Sequence, residues 1–483
     1  MINFHFTRHS LVRGMMLLTG SALLAACVTP QRVTTTSAIQ NAPVSIAGKA
    51  ENAEWPATEW WKQYHDDTLN ALIEQALKSA PTLASAEARF EIAQANVHLA
   101  DADGLHVDAS ADASRQRLSD NGLFSPKFLG FNWYNQADLG LHGSYAFDWW
   151  HKRKNNVSAA LDDAHSAQAQ RDAITMSLSA SVAQSYFGWQ ADQEQISILL
   201  QQQQLAEKRR DIIKARVDAE VEPVDGVYAA DAEIAALREA VVMGQYSSQL
   251  RRVTIAALLG VTVDALPSFT AQPLPVAAIA VPDNVKLDLL ARRADINASR
   301  WQVEAAQHRM QSAHAEFYPD ISVNALAGIS SIKFGKLFEA GSAVPSIGGA
   351  IHLPIFDAGH LRAQYGVRAA QVNDAINTYN ETVVNAAREV SMYATQLQQL
   401  AAQRVEREAQ REAAGHLLDV ATARNDQGLS DPRAKLQASQ SLQQQVLSLA
   451  NLNAAAINAQ INLILALGGG YQSDKTAALA AAQ

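Results

Sequence analysis

Thirteen histidines, one cysteine and 48 carboxylates are the side chains of this sequence that could carry out chemistry, and their spacing decides whether they do. The His-Glu-x-x-His motif of a zinc protease does not occur, and no Cys/His ligand pattern occurs. A Gly-x-Ser-x-Gly elbow, a phosphate-binding loop and a dinucleotide fingerprint are also missing. His151 and His360 recur at equivalent places in the two halves of the chain, where a polar anchor explains them better than a metal. We therefore expect neither catalysis nor a metal ion.

The single cysteine, Cys27, is the exception, because its position suggests a modification. Arg8 and Arg13 precede an apolar stretch, 15–26, that is too short to span a bilayer. It ends in Leu-Ala-Ala-Cys, which resembles a bacterial lipoprotein signal; an accidental cysteine in a plain secretory signal is the alternative. The resemblance implies removal of residues 1–26 and acylation of Cys27, so a covalent lipid is the only expected cofactor. Several acyl chains anchor firmly where one is marginal.

The composition favours long packed helices over a thick hydrophobic core. Ala, Gln, Leu and Ser dominate, and 18% of the 483 residues are charged. The net charge of −9 gives no reason to expect a nucleic-acid partner.

The chain is written twice, and each copy contains a long run without proline, 127–222 and 355–431. Each run opens on a related phrase, Phe147-Asp-Trp-Trp-His-Lys-Arg and Phe356-Asp-Ala-Gly-His-Leu-Arg. About 65 helical residues would extend roughly 100 Å, far more than a compact domain needs. After the acylated leader (27–58), the sequence predicts a first repeat over 59–262, a connector over 263–286, a second repeat over 287–471 and a tail over 472–483. The predicted long helices are 151–219, 224–259, 360–427 and 432–467.

Segments with alternating apolar and polar residues lie between the helices of each copy. They predict strands at about 105–116, 136–149, 320–331 and 345–357. Strands of this length cross a bilayer when tilted. An ordinary hairpin on a soluble core is the alternative, but the mostly alanine face of the first strand is thin for such a core. Aromatic residues cluster near the strand ends, as interfacial girdles do: Phe131, Trp133, Tyr134, Trp149, Trp150, Phe317, Tyr318 and Phe356.

Four strands leave two open edges, which hydrocarbon cannot satisfy. Identical copies of the chain could close the sheet, and three copies would give a twelve-stranded, water-filled barrel. The expected lining is polar and acidic: Asp108, Asp112, Asp138, His142, Ser144 and Asp148. No helical membrane span is expected after the signal.

The whole arrangement resembles the outer membrane factor family, in its NodT-type lipoprotein branch related to TolC. The resemblance rests on the lipoprotein signal, Trp60-Trp61 with Asp66-Asp67, the duplicated units and the ending Leu467-Gly-Gly-Gly-Tyr471. It implies a homotrimeric β-barrel in the Gram-negative outer membrane, continued by a helical barrel across the periplasm. It also implies passive export of drugs or other small molecules, with a periplasmic adaptor and an inner-membrane pump of the RND, MFS or ABC type. The rival interpretation is a non-channel coiled-coil lipoprotein, either an adaptor or a scaffold.

The resemblance further implies adaptor contacts at the tips of the long helical hairpins. Gly428 and Leu429 match the family's small-then-apolar pattern, whereas Glu220 and Val221 stand at the equivalent place in the first copy. The expected contact residues are Ala219, Glu220, Val221, Gln427, Gly428 and Leu429. Repeat-equivalent charges make Arg216, Asp218, Arg424 and Asp426 the candidate gate, with solvated helix-end charges as the alternative.

Overall fold

The structure is a computed structural model that describes residues 34, 36–44, 55–121, 126–277 and 292–471. Cys27, the later part of the predicted connector and the predicted tail lie outside the described residues. The chain forms two compact units. The first contains the chain up to Ser37 together with 91–166 and 300–378. The second contains 38–90, 167–299 and 379–483.

The elements alternate between helices and strands in the same order in both halves of the chain. They are a 3-10 helix (Trp60–Tyr64), α1 (Asp67–Ser79), α2 (Pro81–Asp101), β1 (Leu105–Arg117), a helical turn (Pro126–Leu129), β2 (Trp133–Phe147), α3 (Lys152–Asp218), α4 (Asp225–Leu259), a 3-10 turn (Val263–Ala265), α5 (Ala294–Ala315), β3 (Asp320–Ser331), two 3-10 turns (Phe334–Lys336, Ala340–Ser342), β4 (Ser346–His352), α6 (His360–Asp426) and α7 (Pro432–Ala466).

The two halves repeat each other closely in length. The helices α3 and α6 have 67 residues each, and α4 and α7 have 35 each. Few glycines and no prolines interrupt α3 and α6, so nothing in the sequence breaks their backbone ladders. Proline follows at both turns: Pro432 is the first residue of α7, where its missing N–H costs nothing.

The four strands form one antiparallel sheet in the order β1-β2-β3-β4 within the first unit. The ladder pairs Asp108 with His142 and Asp138 with Ser330. Its last pair, between β3 and β4, is Asp320 with His352. Directly paired residues share a face, so every odd-numbered strand residue lies on one face and every even-numbered residue on the other.

Two strand boundaries differ from the prediction. The fourth strand ends at His352 instead of 357, because Pro354 has no N–H to donate to the ladder. The second strand starts earlier than expected, at Trp133, and ends at Phe147. It stops there because the next residue, Asp148, turns its carboxylate to the start of α3: it accepts hydrogen bonds from the backbone N–H groups of Arg153 (2.9 Å) and Lys154 (2.8 Å).

Asp148 is therefore a helix-capping residue. The prediction that it belongs to the polar face of the sheet is wrong. Asp357, its equivalent in the second copy, accepts from the N–H groups of Gly359 (3.0 Å) and Leu361 (2.6 Å). These hydrogen bonds, led by the one from Leu361, hold the pKa of Asp357 below its usual value. The repeated Phe-Asp phrase is thus the signal that starts each long helix.

The core of the second unit gathers the Trp-Trp and Asp-Asp motif of the N-terminal region. Trp60 and Trp61 are buried with Ile73 of α1 and Tyr186 of α3. The Asp66 side chain accepts the N–H of Leu69 (3.0 Å) and so caps α1, and it also accepts the Tyr186 hydroxyl (2.8 Å). Burial, followed by the bond to Asp66, raises the pKa of Tyr186 to about 12. The motif is therefore structural: it fixes α1 against the long helix.

One helix in the described part of the chain, α7, is long and apolar enough to cross a membrane by length and composition alone. Its apolar residues Ile457 and Ile461 are fully buried in the core of the second unit. Core packing therefore accounts for its hydropathy.

The glycines of the ending Leu467-Gly-Gly-Gly-Tyr471 allow other backbone segments to pass close to this turn. Gly468 has a φ of +101°, and a Cβ at this residue would overlap the carbonyl oxygen of Arg292. The neighbouring Arg293 donates to the carbonyl of Ala466 (2.9 Å) and to Glu389 (3.0 Å), which ties this turn to α6. A side chain at position 468 has no room.

Replacing Gly468 with Ala should destabilise the protein by more than about 2 kcal/mol, because both the backbone conformation and the contact with Arg292 forbid a Cβ. Gly366→Ala is the matched control: this glycine lies inside α6 with open space around it, so alanine should stabilise by about 0.5–1 kcal/mol. Thermal unfolding followed by circular dichroism in detergent measures both. Equal, small shifts of Tm in the two variants would contradict the packing argument.

Candidate functional site

The even-numbered face of the sheet is polar across all four strands. It carries the predicted lining residues in β1 and β2, and it continues into β3 and β4 with residues that the sequence had not assigned. Ser110 lies within 3.1 Å of His142 Nε2, and Gln136 donates to Asp138 (2.9 Å). The polar residues of this face are His106, Asp108, Ser110, Asp112, Ser114, Gln116, Gln136, Asp138, His142, Ser144, Asp320, Ser322, Asn324, Ser330, Ser346 and His352.

The odd-numbered face is apolar and exposed. Its large side chains include Val107, Leu141, Ile347 and Ile351, which have exposed fractions of 54% to 81%. An exposed apolar face of this extent needs a cover other than water. At one end of β1, Arg115 lies over the ring of Trp133, 5.5 Å from its centroid, as polar and aromatic groups do at an interface.

The aromatic residues near the strand ends are mostly exposed, with one correction. Trp150 stacks on Tyr318 at 4.5 Å and donates its indole N–H to the carbonyl of Pro319 (2.8 Å). Phe356 is 87% exposed. Phe317, however, is buried and packs edge-on against Tyr365 of α6, so it belongs to the core and not to a girdle.

A buried carboxylate in the first unit went unnoticed in the sequence. Asp162 of α3 is buried near His308 of α5, with 3.6 Å between Oδ2 and Nε2. Burial, reinforced by the Glu304 and Asp163 carboxylates, raises the pKa of Asp162 to about 7, while Arg309 opposes the rise. Burial between α3 and α5 therefore shifts the equilibrium of this carboxyl group toward its neutral form.

The second candidate site comprises the two hairpin tips, both in the second unit, and their backbones are alike. Glu220 (φ +55°) and Gly428 (φ +68°) both adopt the left-handed conformation. The next N–H, of Val221 or Leu429, donates to the carbonyl of Arg216 (2.9 Å) or Arg424 (2.8 Å), respectively. Each long helix therefore ends in a Schellman motif, although only the second tip has glycine at the left-handed position.

All six predicted contact residues are exposed. Val221 and Leu429 have exposed fractions of 62% and 71%. In a Schellman motif this residue commonly packs against its own helix. Here both apolar side chains point to solvent and remain available to a partner.

The four candidate gate residues do not pair with one another. Asp218 binds Lys214 of its own helix (2.9 Å), and Asp426 lies 3.9 Å from Lys435. In the described part of the chain, the Arg424 side chain forms no hydrogen bond or ion pair, and its backbone carbonyl accepts the hydrogen bond that closes the turn. Within one chain these four residues therefore form no pairs with one another, and their role as a gate stays a prediction.

The residues that do join the two tips are Arg216, Glu222, Asp431 and Arg433, here called the tip clamp. Arg433 Nη1 donates to Glu222 (2.7 Å), and Arg216 Nε donates to the same carboxylate (2.9 Å). Arg433 also binds Asp431 (2.6 Å), and Arg216 lies 3.7 Å from it. The sequence signal was available: Glu222 and Asp431 each precede the proline of their tip.

Hydrogen bonds explain the titration of the clamp. The side chain and then the backbone N–H of Arg433 lower the pKa of Asp431 to about 2. Asp431 in turn raises the pKa of Arg433. A carboxylate with a depressed pKa stabilises the fold above its ordinary pKa and loses that contribution as the pH falls through about 2. The clamp therefore keeps its Asp431 charge at every pH above about 4.

Known proteins match this chain over most of its length. The family model for outer membrane efflux proteins matches residues 72–261 and 287–469, one segment in each repeat. The chain belongs to this family. The multidrug resistance outer membrane protein MdtP of Escherichia coli K12 is 33% identical over 429 residues, covering 87% of this chain and 88% of MdtP.

Solved structures agree with the family assignment. VceC, an outer membrane protein of Vibrio cholerae, is 31% identical with a TM-score of 0.78, over 86% of this chain and all of VceC. The outer-membrane channel OprN has the same fold, with a TM-score of 0.82 at 24% identity, over 92% of this chain. The predicted family, fold class and outer-membrane location are confirmed, as is the function of an outer-membrane channel in efflux. The rival interpretation as a non-channel lipoprotein is set aside.

The two tips of this outer membrane efflux protein provide a matched test of backbone strain. Glu220→Gly should slow exchange of the Val221 N–H about fivefold, because it removes about 1 kcal/mol of left-handed strain. Gly428→Glu should speed exchange of the Leu429 N–H to a similar extent. Hydrogen–deuterium exchange of the tip peptides measures both, and shifts of the same sign in the two variants would contradict the strain argument.

Proposed function

We propose that three copies of this chain close their sheets into one twelve-stranded barrel that serves as a passive duct. The observation that carries this proposal is the parity of the sheet: one face is polar, the other is apolar, and β1 and β4 are its edges. Hydrocarbon offers no hydrogen-bond partner to an unpaired N–H or C=O group, so each edge strand needs a strand from another copy beside it. The apolar face then contacts lipid, and the polar face lines water.

The lining gives the duct a charge preference. Each copy contributes Asp108, Asp112 and Asp138 to the polar face. A channel lined by carboxylates favours cations over anions and offers little chemical discrimination beyond charge and size. The choice of exported compound therefore lies with the pump. The duct needs no cofactor, and it catalyses no reaction.

The duct works with partners at its tips and with a lipid at its N-terminus. An inner-membrane pump, of the RND type in the first instance, delivers substrates through a periplasmic adaptor, as in a tripartite efflux system. The exposed Val221 and Leu429 support adaptor docking at both tips. The name of MdtP supports drugs as the exported class. Acylated Cys27 adds an anchor in the outer-membrane lipid.

Recording single channels from the purified protein in planar bilayers tests the duct. We expect a trimer by native mass and cation-selective conductance. Combining Asp108→Asn, Asp112→Asn and Asp138→Asn should reduce the selectivity measured by reversal potential. Asp320→Asn, at the end of the β3 ladder, is the comparison that separates mid-sheet charge from charge in general. A monomer without conductance would refute the proposal.

The tip clamp supports a further part of the proposal, namely that ion pairs between hairpins hold the duct closed. Breaking an exposed pair of this kind costs up to about 1 kcal/mol, so Arg433→Ala should raise the open fraction about fivefold. Arg424→Ala is the control, because Arg424 is a tip arginine outside the clamp. Acidification from pH 7 to pH 5 should leave the Asp431 contact intact, since the pKa of Asp431 lies at about 2. Equal effects of the two arginine variants would count against the gate.

A further inference from the structure

The N-terminal leader lies on α6, where an asparagine holds its backbone. The side-chain amide of Asn373 uses both of its polar groups on the leader: Oδ1 accepts the N–H of Thr36 (2.8 Å), and Nδ2 donates to the carbonyl of Thr34 (3.2 Å). In an extended chain, the carbonyl of one residue and the N–H two residues later point to the same side. Asn373 therefore binds the leader as a neighbouring β-strand would.

A second set of contacts lies two helical turns further along α6. Asn380 Oδ1 accepts the N–H of Ile39 (2.8 Å), and the hydroxyl of Tyr379 donates to the carbonyl of Ile39 (3.3 Å). Both backbone polar groups of Ile39 are thus bound by consecutive α6 side chains. Just beyond, Ala42 and Val44 are buried, with exposed fractions of 2% and 5%.

The spacing of the two asparagines suits an extended chain. Seven residues of α6 rise about 10.5 Å from Asn373 to Asn380. Three extended residues, from Thr36 to Ile39, cover about 10 Å. An extended leader can therefore bind both asparagines at once, because the two distances match. No leader side chain takes part in these hydrogen bonds.

We propose that α6 carries a docking site for the chain's own leader, in which Asn373 and Asn380 bind its backbone. Docking of the leader also limits where the lipid anchor can lie. This second part of the proposal rests on the proposed acylation of Cys27. Only six residues separate Cys27 from Thr34, and the seven steps between their Cα atoms reach at most about 25 Å. Asn373 lies 13 residues into α6, about 20 Å from the end at which α6 follows β4. The docked leader therefore keeps the acyl chains beside the base of their own sheet.

The docking part is tested by hydrogen–deuterium exchange of the leader peptide, residues 34–44, in the detergent-purified full chain. The double variant Asn373→Ala with Asn380→Ala should exchange about thirtyfold faster there or more, because the two asparagines together make three hydrogen bonds to the leader backbone. Asn377→Ala is the matched control: this asparagine is exposed on the same stretch of α6. It should leave exchange in the leader unchanged.

Thr36→Pro provides an independent arm that does not touch α6. Proline removes the N–H that Asn373 accepts, so leader exchange should rise while α6 peptides stay protected. Unchanged leader exchange in both the double variant and Thr36→Pro would overturn the docking site. An equal effect of Asn377→Ala would overturn it as well.

The tether part is tested by deleting residues 29–32, which cuts the reach from Cys27 to Thr34 to about 11 Å. In liposomes, the acylated deletion variant should lose leader protection, whereas the same protein in detergent should keep it. Leader protection in both settings would overturn the tether limit. Mass spectrometry of the N-terminal peptide reports acylation separately, and conductance reports the duct. A failure of the proposed acylation or of the proposed duct can therefore be distinguished from a failure of docking.

Discussion

Backbone hydrogen bonding along the sheet is the constraint on which the rest of this structure depends. The ladders β1-β2, β2-β3 and β3-β4 satisfy the inner strands, while the outer sides of β1 and β4 have no strand beside them in the described chain. Water could satisfy such an edge, but lipid cannot. The parity of the sheet adds a second requirement, since its exposed apolar face needs lipid and its polar face needs water. Closure with other copies meets both requirements at once.

The duplication is clearer in the helices than in the strands. The long helices have the same lengths in the two halves of the chain, 67 and 35 residues. The residues at the tips of the helical hairpins differ between the halves. The left-handed residue of the tip is glycine in one copy and glutamate in the other, and the clamp joins Glu222 of one tip to Arg433 of the other. Divergence at the tips thus permits contacts between hairpins that identical copies would not make.

Side chains that bind backbone recur wherever this chain must hold an extended or turning segment. Asp148 and Asp357 bind N–H groups at the starts of α3 and α6, and Asp431 does so at the start of α7. Asn373 binds the backbone of the leader in the same way, at Thr34 and Thr36. Such contacts constrain the path of the chain and leave the sequence of the bound segment free. Such contacts therefore add to the burial of Ala42 and Val44 in holding the leader.

The sequence by itself determined the repeats, the long helices, three of the four strands to within a few residues and the two faces of the sheet. Each of these follows from local periodicity or from the absence of proline, and periodicity survives in any tertiary context. The tertiary structure decided which charges meet at the tips, that Asp148 caps a helix, that Phe317 is buried and that Asn373 binds the leader. Most of these contacts join residues that are distant in the chain. For Asp148, the outcome depends on whether its side chain points to the sheet face or to the start of α3. Arg433 and Glu222 are 211 residues apart in the sequence, yet packing of the two hairpins brings them within 2.7 Å of each other.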